Sequence, residues 1–358
     1  MTCSAPEIWK GIEVRTRELW LLASSFELAP ASPSLFACTG LREEALKILE
    51  SNQLVRKGND GRWQVEPAMW EFGRNAGLDT QRKTARRAFV LGCCKRSRGI
   101  GDYVGNGHRI YTQDQPHFDA AIRQAPTVLG EGAEEIARLA DRIASAKHSL
   151  GEYSTARHLL EYAINLDRTH RGEDYPAVAS NRSNLGLVLQ ALGNLRGARV
   201  QHELALQTDL RIRGEEHPEV AIKRSNLALV LDALGERYAA KKLLKSALDS
   251  DIRNLGEEHQ HVAVRRSNLA VVLLGMNDLE AATLQMEKAL KSDVRNYGEN
   301  HPAVAIGHCN LAGIFYRRRD LPAAWAHARI ARRIAEQQPE ASDVRARVED
   351  IVSLILDE

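Results

Sequence analysis

Arg182-Ser183-Asn184-Leu185-Gly186 returns as Arg224-Ser225-Asn226-Leu227-Ala228 and Arg266-Ser267-Asn268-Leu269-Ala270, and a fourth time as His308-Cys309-Asn310-Leu311-Ala312. The interval is 42 residues each time. A fixed period of this size means a stack of like supersecondary units. Small residues keep the same period. They stand at 144, 156 and 163, at 186, 198 and 205, and then at 228, 240 and 247, 270, 282 and 289, and 312, 324 and 331. Two packed helices need small side chains where their backbones approach, because larger ones overpack the contact. Leu150-Gly151-Glu152-Tyr153, Leu192-Gly193-Asn194-Leu195 and Leu234-Gly235-Glu236-Arg237 mark the turn between the two helices of a unit. Glycine suits the left-handed residue that ends a helix.

A linker phrase joins one unit to the next: Gly214-Glu215-Glu216-His217-Pro218, Gly256-Glu257-Glu258-His259-Gln260 and Gly298-Glu299-Asn300-His301-Pro302, with Gly172-Glu173-Asp174-Tyr175-Pro176 as its weaker first version. With these phrases in phase, residues from about 135 to 338 resemble the tetratricopeptide repeat (TPR), in the 42-residue variety of kinesin light chains and many bacterial proteins. The resemblance implies a mainly α fold, a right-handed superhelix of antiparallel helix pairs. Five pairs are expected, at about 133–168, 176–212, 218–254, 260–296 and 302–337. Pro339 ends the last, and a helix carrying Val344, Val348, Ile351, Val352 and Ile355 caps the stack over 339–358.

The chain has 358 residues, 44% hydrophobic and 27% charged, with a formal net charge of +2. That balance predicts no strong attraction of the whole molecule to nucleic acid or membrane. The five cysteines are odd in number and lack a CxxC spacing, which argues for reduced thiols in a cytoplasm. Adjacent Cys93 and Cys94 read as part of a helix. The longest apolar stretch, Leu19 to Phe26, is far short of the ~20 residues a membrane helix needs, and Glu18 and Glu27 flank it unlike a signal peptide.

Ahead of the repeats, residues 8–29 read as a helix ended by Pro30 and Pro33, and 41–51 as a second. A hairpin follows, Gln53 to Arg56 and Arg62 to Val65, turning at Asn59-Asp60-Gly61. This order, with Glu43 to Arg74, resembles the winged-helix domain that follows the nucleotide-binding core of bacterial NB-ARC/STAND ATPases, a domain those proteins commonly continue into TPRs. The family often has a histidine after the second strand, where this chain has Glu66-Pro67. The organisation expected is therefore a winged-helix-like domain over 1–80, a helical, basic connector over 81–132, the repeats over 133–338 and the capping helix.

Arg82, Lys83, Arg86, Arg87, Lys95, Arg96 and Arg98 form a run without an acid between Asp79 and Asp102. It admits two readings, the solvated face of a helix or a patch for a phosphate backbone. The four glycines between Gly99 and Gly107 lack the preceding strand and the Gly-Lys-Ser/Thr of a phosphate loop, and read as a connector.

In the TPR family the first helix of each pair lines the concave face. Asn184, Asn226, Asn268 and Asn310 lie off the packing stripe of that helix, as a ladder of amides. In kinesin light chains the corresponding asparagines line the cargo-peptide groove; the other role open to them is bonding a neighbouring repeat's backbone. Arg182, Arg224 and Arg266 stand where the family usually has an apolar residue, and Lys223 and Arg265 lie beside two of them. They give either a basic stripe for carboxylates or pairs with acids of adjacent units. His217, His259 and His301 lie a repeat apart and so cannot converge on a metal; they read as loop-structuring residues. No catalytic motif, cofactor site or metal site is expected. The function expected is a protein–protein interaction scaffold or sensor arm of a STAND-type protein. It would bind an extended acidic peptide or partner in the groove, with an ATPase core in cis or in trans. The alternative is a DNA-binding winged-helix regulator with a TPR effector domain.

Overall fold

A computed structural model describes residues 14–26, 31–39, 41–52, 54–67, 70, 73, 79–100, 106–130, 134–337 and 342–356. The chain divides into two compact units, Met1–Leu192 and Gly193–Glu358. No described helix is long and apolar enough to cross a membrane.

In the first unit α1 (Val14–Ala23), α2 (Pro33–Thr39) and α3 (Glu43–Ser51) precede the antiparallel hairpin β1 (Val55–Lys57) and β2 (Trp63–Val65). Of the helix expected over 8–29, residues 8–13 and 27–29 lie outside the described residues. Pro33 opens α2, a short helix that the sequence reading did not place. Proline lacks only an N–H that the first turn leaves unpaired anyway. Ser32 caps that turn, its Oγ accepting from Leu35 N at 3.1 Å. Then come α4 (Asp79–Arg96), a short 3-10 turn at 97–100, and α5 (Asn106–Leu129).

The expected connector thus carries two long helices, and they share one core with the hairpin and the helices before it. Phe26 stacks on Phe36 at 4.2 Å and meets Phe89 edge-on at 5.0 Å. Trp20, Trp63, Tyr111 and Phe118 are buried with them. Asp114, wholly buried, accepts from Ser32 N at 2.8 Å, Ser32 Oγ at 2.7 Å and Arg96 Nε at 3.3 Å. Pro116 and Pro126 interrupt the helical reading of α5, yet Tyr111, Phe118, Ala121 and Ala125 bury one of its faces. Residues 101–105, the middle of the expected glycine connector, lie outside the described residues. The unit ends with α6 (Glu134–Ser149) packed on α7 (Tyr153–Arg171), and with α8 (Pro176–Ala191) packed on α7.

The second unit is helical throughout its described residues: α9 (Leu195–Arg213), α10 (Pro218–Ala233), α11 (Arg237–Leu255), α12 (Gln260–Gly275), α13 (Leu279–Tyr297), α14 (Pro302–Arg317), α15 (Leu321–Glu336) and α16 (Ser342–Leu356). α10 pairs with α11, α12 with α13 and α14 with α15, and each pair packs on the next. Ala240, Ala282 and Ala324 are fully buried, as close helix contact requires. The residue that ends the first helix of a pair is left-handed: Gly235 at φ 85°, Asn277 at 62° and Arg319 at 61°. α16 buries Val344 and Val348 against Val304, Ala305, Ala331 and Ile334.

Candidate functional site

The repeat's linker is built from three residues of its own phrase. Gly214, Gly256 and Gly298 turn the chain at φ 80°, 84° and 82°, where a side chain would be strained. His217, His259 and His301 then cap the next helix, each Nδ1 accepting a backbone N–H two residues on, at 3.1, 3.1 and 3.2 Å. Arg224 Nη1 donates to Glu215 O at 3.1 Å and Arg266 Nη1 to Glu257 O at 3.2 Å. Arg182 Nη1 is paired instead with the Glu173 side-chain carboxylate.

This corrects the basic stripe. Arg182, Arg224 and Arg266 are only 6, 8 and 6% exposed, so their guanidinium groups are taken up by the linker and are not offered on the accessible face. The stems pack in the core and the heads reach back to the linker, which an arginine is long enough to do.

Lys223 and Arg265 are buried too, against a second ladder that the sequence reading missed. Asp167, Asp209 and Asp251 recur every 42 residues near the end of the second helix and are 2, 1 and 0% exposed. Asp167 pairs with Arg171 at 2.8 Å. Asp209 pairs with Arg213 at 3.1 Å and Lys223 at 3.9 Å, and Asp251 with Arg265 at 3.1 Å. Burial pushes the Asp251 carboxyl up and the Arg265 guanidinium down, each partly offset by the other's charge. In both groups desolvation outweighs the partner's attraction. The next rung has no cation among the described residues: Gly307 stands at the position of Arg265, and burial pushes the Asp293 carboxyl up to about 6. An acid at fixed spacing was visible in the sequence and could have been found by the same periodic search.

The four asparagines are each half-buried. Asn184 Nδ2 donates to Asp141 Oδ1 at 3.1 Å and Asn268 Nδ2 to Ser225 Oγ at 3.0 Å; Asn310 Nδ2 lies 3.9 Å from Met286 Sδ. In these three the amide nitrogen reaches the preceding helix pair, while Oδ1 accepts no hydrogen bond from the described residues. The partners are side chains of the preceding pair, not the neighbouring backbone that the sequence left open. Beside Asn184 lies a mostly apolar hollow of about 240 Å³, bounded by Ser145, His148, Leu160, Leu187 and Val188.

The basic run does not form one stripe. Lys83, Arg87, Lys95 and Arg98 are exposed, whereas Arg82, Arg86 and Arg96 are half-buried. Arg96 is held by Asp114, and Arg87 donates to Val128 O at 3.2 Å. Cys93 and Cys94 are buried free thiols, pushed up by burial, Cys94 to about 12. Among the described residues no group of three or more His, Cys, Asp or Glu side chains could hold a metal.

The tetratricopeptide repeat family matches at residues 175–251 and again at 262–303. No curated protein sequence matches the chain. Among solved structures it is similar to BtubC (BKLC) from P. vanneervenii, 21% identical with a TM-score of 0.51, over 69% of this chain and 91% of that one. A kinesin light chain-like protein of Podosopora anserina with nearly identical TPR-like repeats is 18% identical with a TM-score of 0.50, over 58% and 99%. A signal transduction ATPase with numerous domains (STAND) that has a tetratricopeptide repeat sensor, from Pyrococcus horikoshii, is 15% identical with a TM-score of 0.53. It is matched over 97% of this chain, which spans 55% of its length. These likenesses are likenesses of fold. Residues 175–251 and 262–303 carry tetratricopeptide repeats, a protein–protein interaction architecture.

Proposed function

We propose that this chain is the partner-binding arm of a STAND-type signalling protein, and that its first-helix faces take an extended peptide segment of the partner. The observation that carries the peptide reading is the amide ladder. Asn184, Asn268 and Asn310 are anchored through nitrogen, and each keeps an oxygen able to accept a backbone N–H. An amide acceptor bonds any peptide backbone without demanding a sequence. Asn226 occupies the same phase. The STAND assignment rests on the fold shared with the Pyrococcus protein along nearly the whole chain, and on the helix, helix, hairpin order ahead of the repeats. It reads the first residues as a winged-helix-like domain and places an ATPase core in cis or in trans.

The test is a peptide-array screen of the full chain, followed by titration of hits against Asn268→Ala and Asn310→Ala. Each variant is expected to lose about 0.5–1.5 kcal/mol of binding. If both bind like wild type while folded, the peptide does not lie on the ladder. Copurification with a P-loop ATPase encoded beside this chain, or in frame with it, tests the STAND assignment separately.

A second reading is favoured by the exposure of Lys83, Arg87, Lys95 and Arg98 on and just beyond α4. It makes the hairpin-bearing part a DNA-binding domain, and its signature is DNA affinity that falls steeply with salt.

A further inference from the structure

The accessible face of each first helix extends beyond its asparagine. Four residues before it stand Ser180, Ile222, Val264 and Ile306, and three residues after it Leu187, Leu229, Val271 and Gly313. Positions i−4, i and i+3 share one face of a helix. All eight positions are half-buried or exposed. Val264 is 48% exposed, and Leu187 and Val271 are each 38% exposed. Aliphatic side chains repeated at one phase on an accessible face are not explained by the core, which the neighbouring positions already fill with Leu185, Leu227, Leu269 and Leu311.

On α8, α10, α12 and α14 the same face carries no formal charge, whereas on α6 Arg138 and Arg142 stand at the phases of Ser180 and Asn184 and Asp141 accepts from Asn184. Within 178–189, 220–231 and 262–273 the only charged side chains are Arg182, Lys223, Arg224, Arg265 and Arg266, all buried. Within 304–315 there is only His308, which burial and the neighbouring His327 keep neutral near pH 7. Along α10, α12 and α14 an acidic ligand would give up its hydration without meeting a cation, which is costly for a carboxylate. In the first unit the face also has a receptor for an apolar group. The hollow of about 240 Å³ lies between Asn184 and Leu187 on one side and Ser145 and His148 on the other. An apolar cavity of roughly 150 Å³ already accommodates benzene. His148 is held neutral by burial.

We infer that the ligand of these faces is an uncharged peptide segment rich in aliphatic side chains. One leucine- or methionine-sized side chain seats in the hollow beside Asn184. In the second unit, taken by itself, aliphatic side chains lie along Ile222, Leu229, Val264 and Val271 while asparagine oxygens accept from the backbone. This rests on the peptide reading above and specifies its ligand as neutral, against the acidic peptide expected from the sequence.

The experiment titrates the full chain with three sets of peptides of equal length: uncharged aliphatic, acidic and basic. The proteins are wild type, Leu187→Asp, Val271→Asp, Asn268→Ala and the conservative Leu187→Met, each checked for helicity by circular dichroism. The aliphatic set is expected to bind tightest, with little change on adding salt. Each aspartate variant is expected to weaken it at least about tenfold, and Leu187→Met to leave it nearly unchanged. Acidic peptides that bind tightest and weaken with salt overturn the aliphatic assignment and leave the peptide reading standing. Aliphatic peptides that bind both aspartate variants like wild type overturn it as well. If no set binds in a manner sensitive to Asn268→Ala, the peptide reading itself fails.

Discussion

The first part of the chain packs around rings, and the last part around methyl groups. Trp20, Phe26, Phe36, Trp63, Phe89, Tyr111 and Phe118 are buried in one aperiodic core. In the second unit the buried core is Ala240, Leu244, Ala270, Leu273, Ala282 and Met286, without a buried aromatic among the described residues. Large rings fill an irregular space that each contact defines once. Alanine and leucine at fixed phase define the same contact again in every repeat, so each pair depends only on its neighbours. The first arrangement is therefore vulnerable at single side chains, and the second at single phases.

The widest separation of the two is expected from Phe26→Ala. It removes a ring stacked between Phe36 and Phe89 and should cost about 3–5 kcal/mol. Near-ultraviolet circular dichroism should lose its aromatic signal at a lower temperature while most helicity persists. Loss of both signals together would join the two cores into one cooperative unit.

Within the repeats, Arg265→Ala should cost about 3 kcal/mol, because it strands the buried Asp251 carboxylate. Adding Asp251→Ala should recover most of that, measured by urea denaturation. Ala282→Leu should cost about 1–3 kcal/mol by overpacking, read as a lowered thermal midpoint. An unchanged midpoint would remove the close-contact role of that phase.

Two smaller effects probe departures from periodicity. Arg319 holds a left-handed backbone where the first three units have Gly151, Gly193 and Gly235, so Arg319→Gly should stabilise by about 1 kcal/mol. Asp293 has no cation among the described residues, and its folded pKa of about 6 lies above the ordinary 3.8. A raised carboxyl pKa means that the folded state binds the proton more tightly. Its contribution to stability therefore rises as pH falls from above 6 towards 3.8. Asp293→Asn should raise the thermal midpoint above pH 6 and flatten that part of the profile.

The features that recur are legible in the order of residues alone. The helix pairs, the small residues at their contacts, the histidine caps and the asparagine phase all follow from a period. They hold because each is made locally, or between neighbours at constant separation. Tertiary structure decided which way the polar side chains face. Arg224 and Arg266 could serve a ligand or a linker on identical sequence evidence, and only the reach of each guanidinium to Glu215 and Glu257 settles it. It also decided the first core. Ser32 is held by Asp114 across 82 residues, and α5 forms despite Pro116 and Pro126 because its buried face outweighs two interruptions. Such contacts occur once, at a separation no local pattern encodes, and only the folded chain brings their partners together.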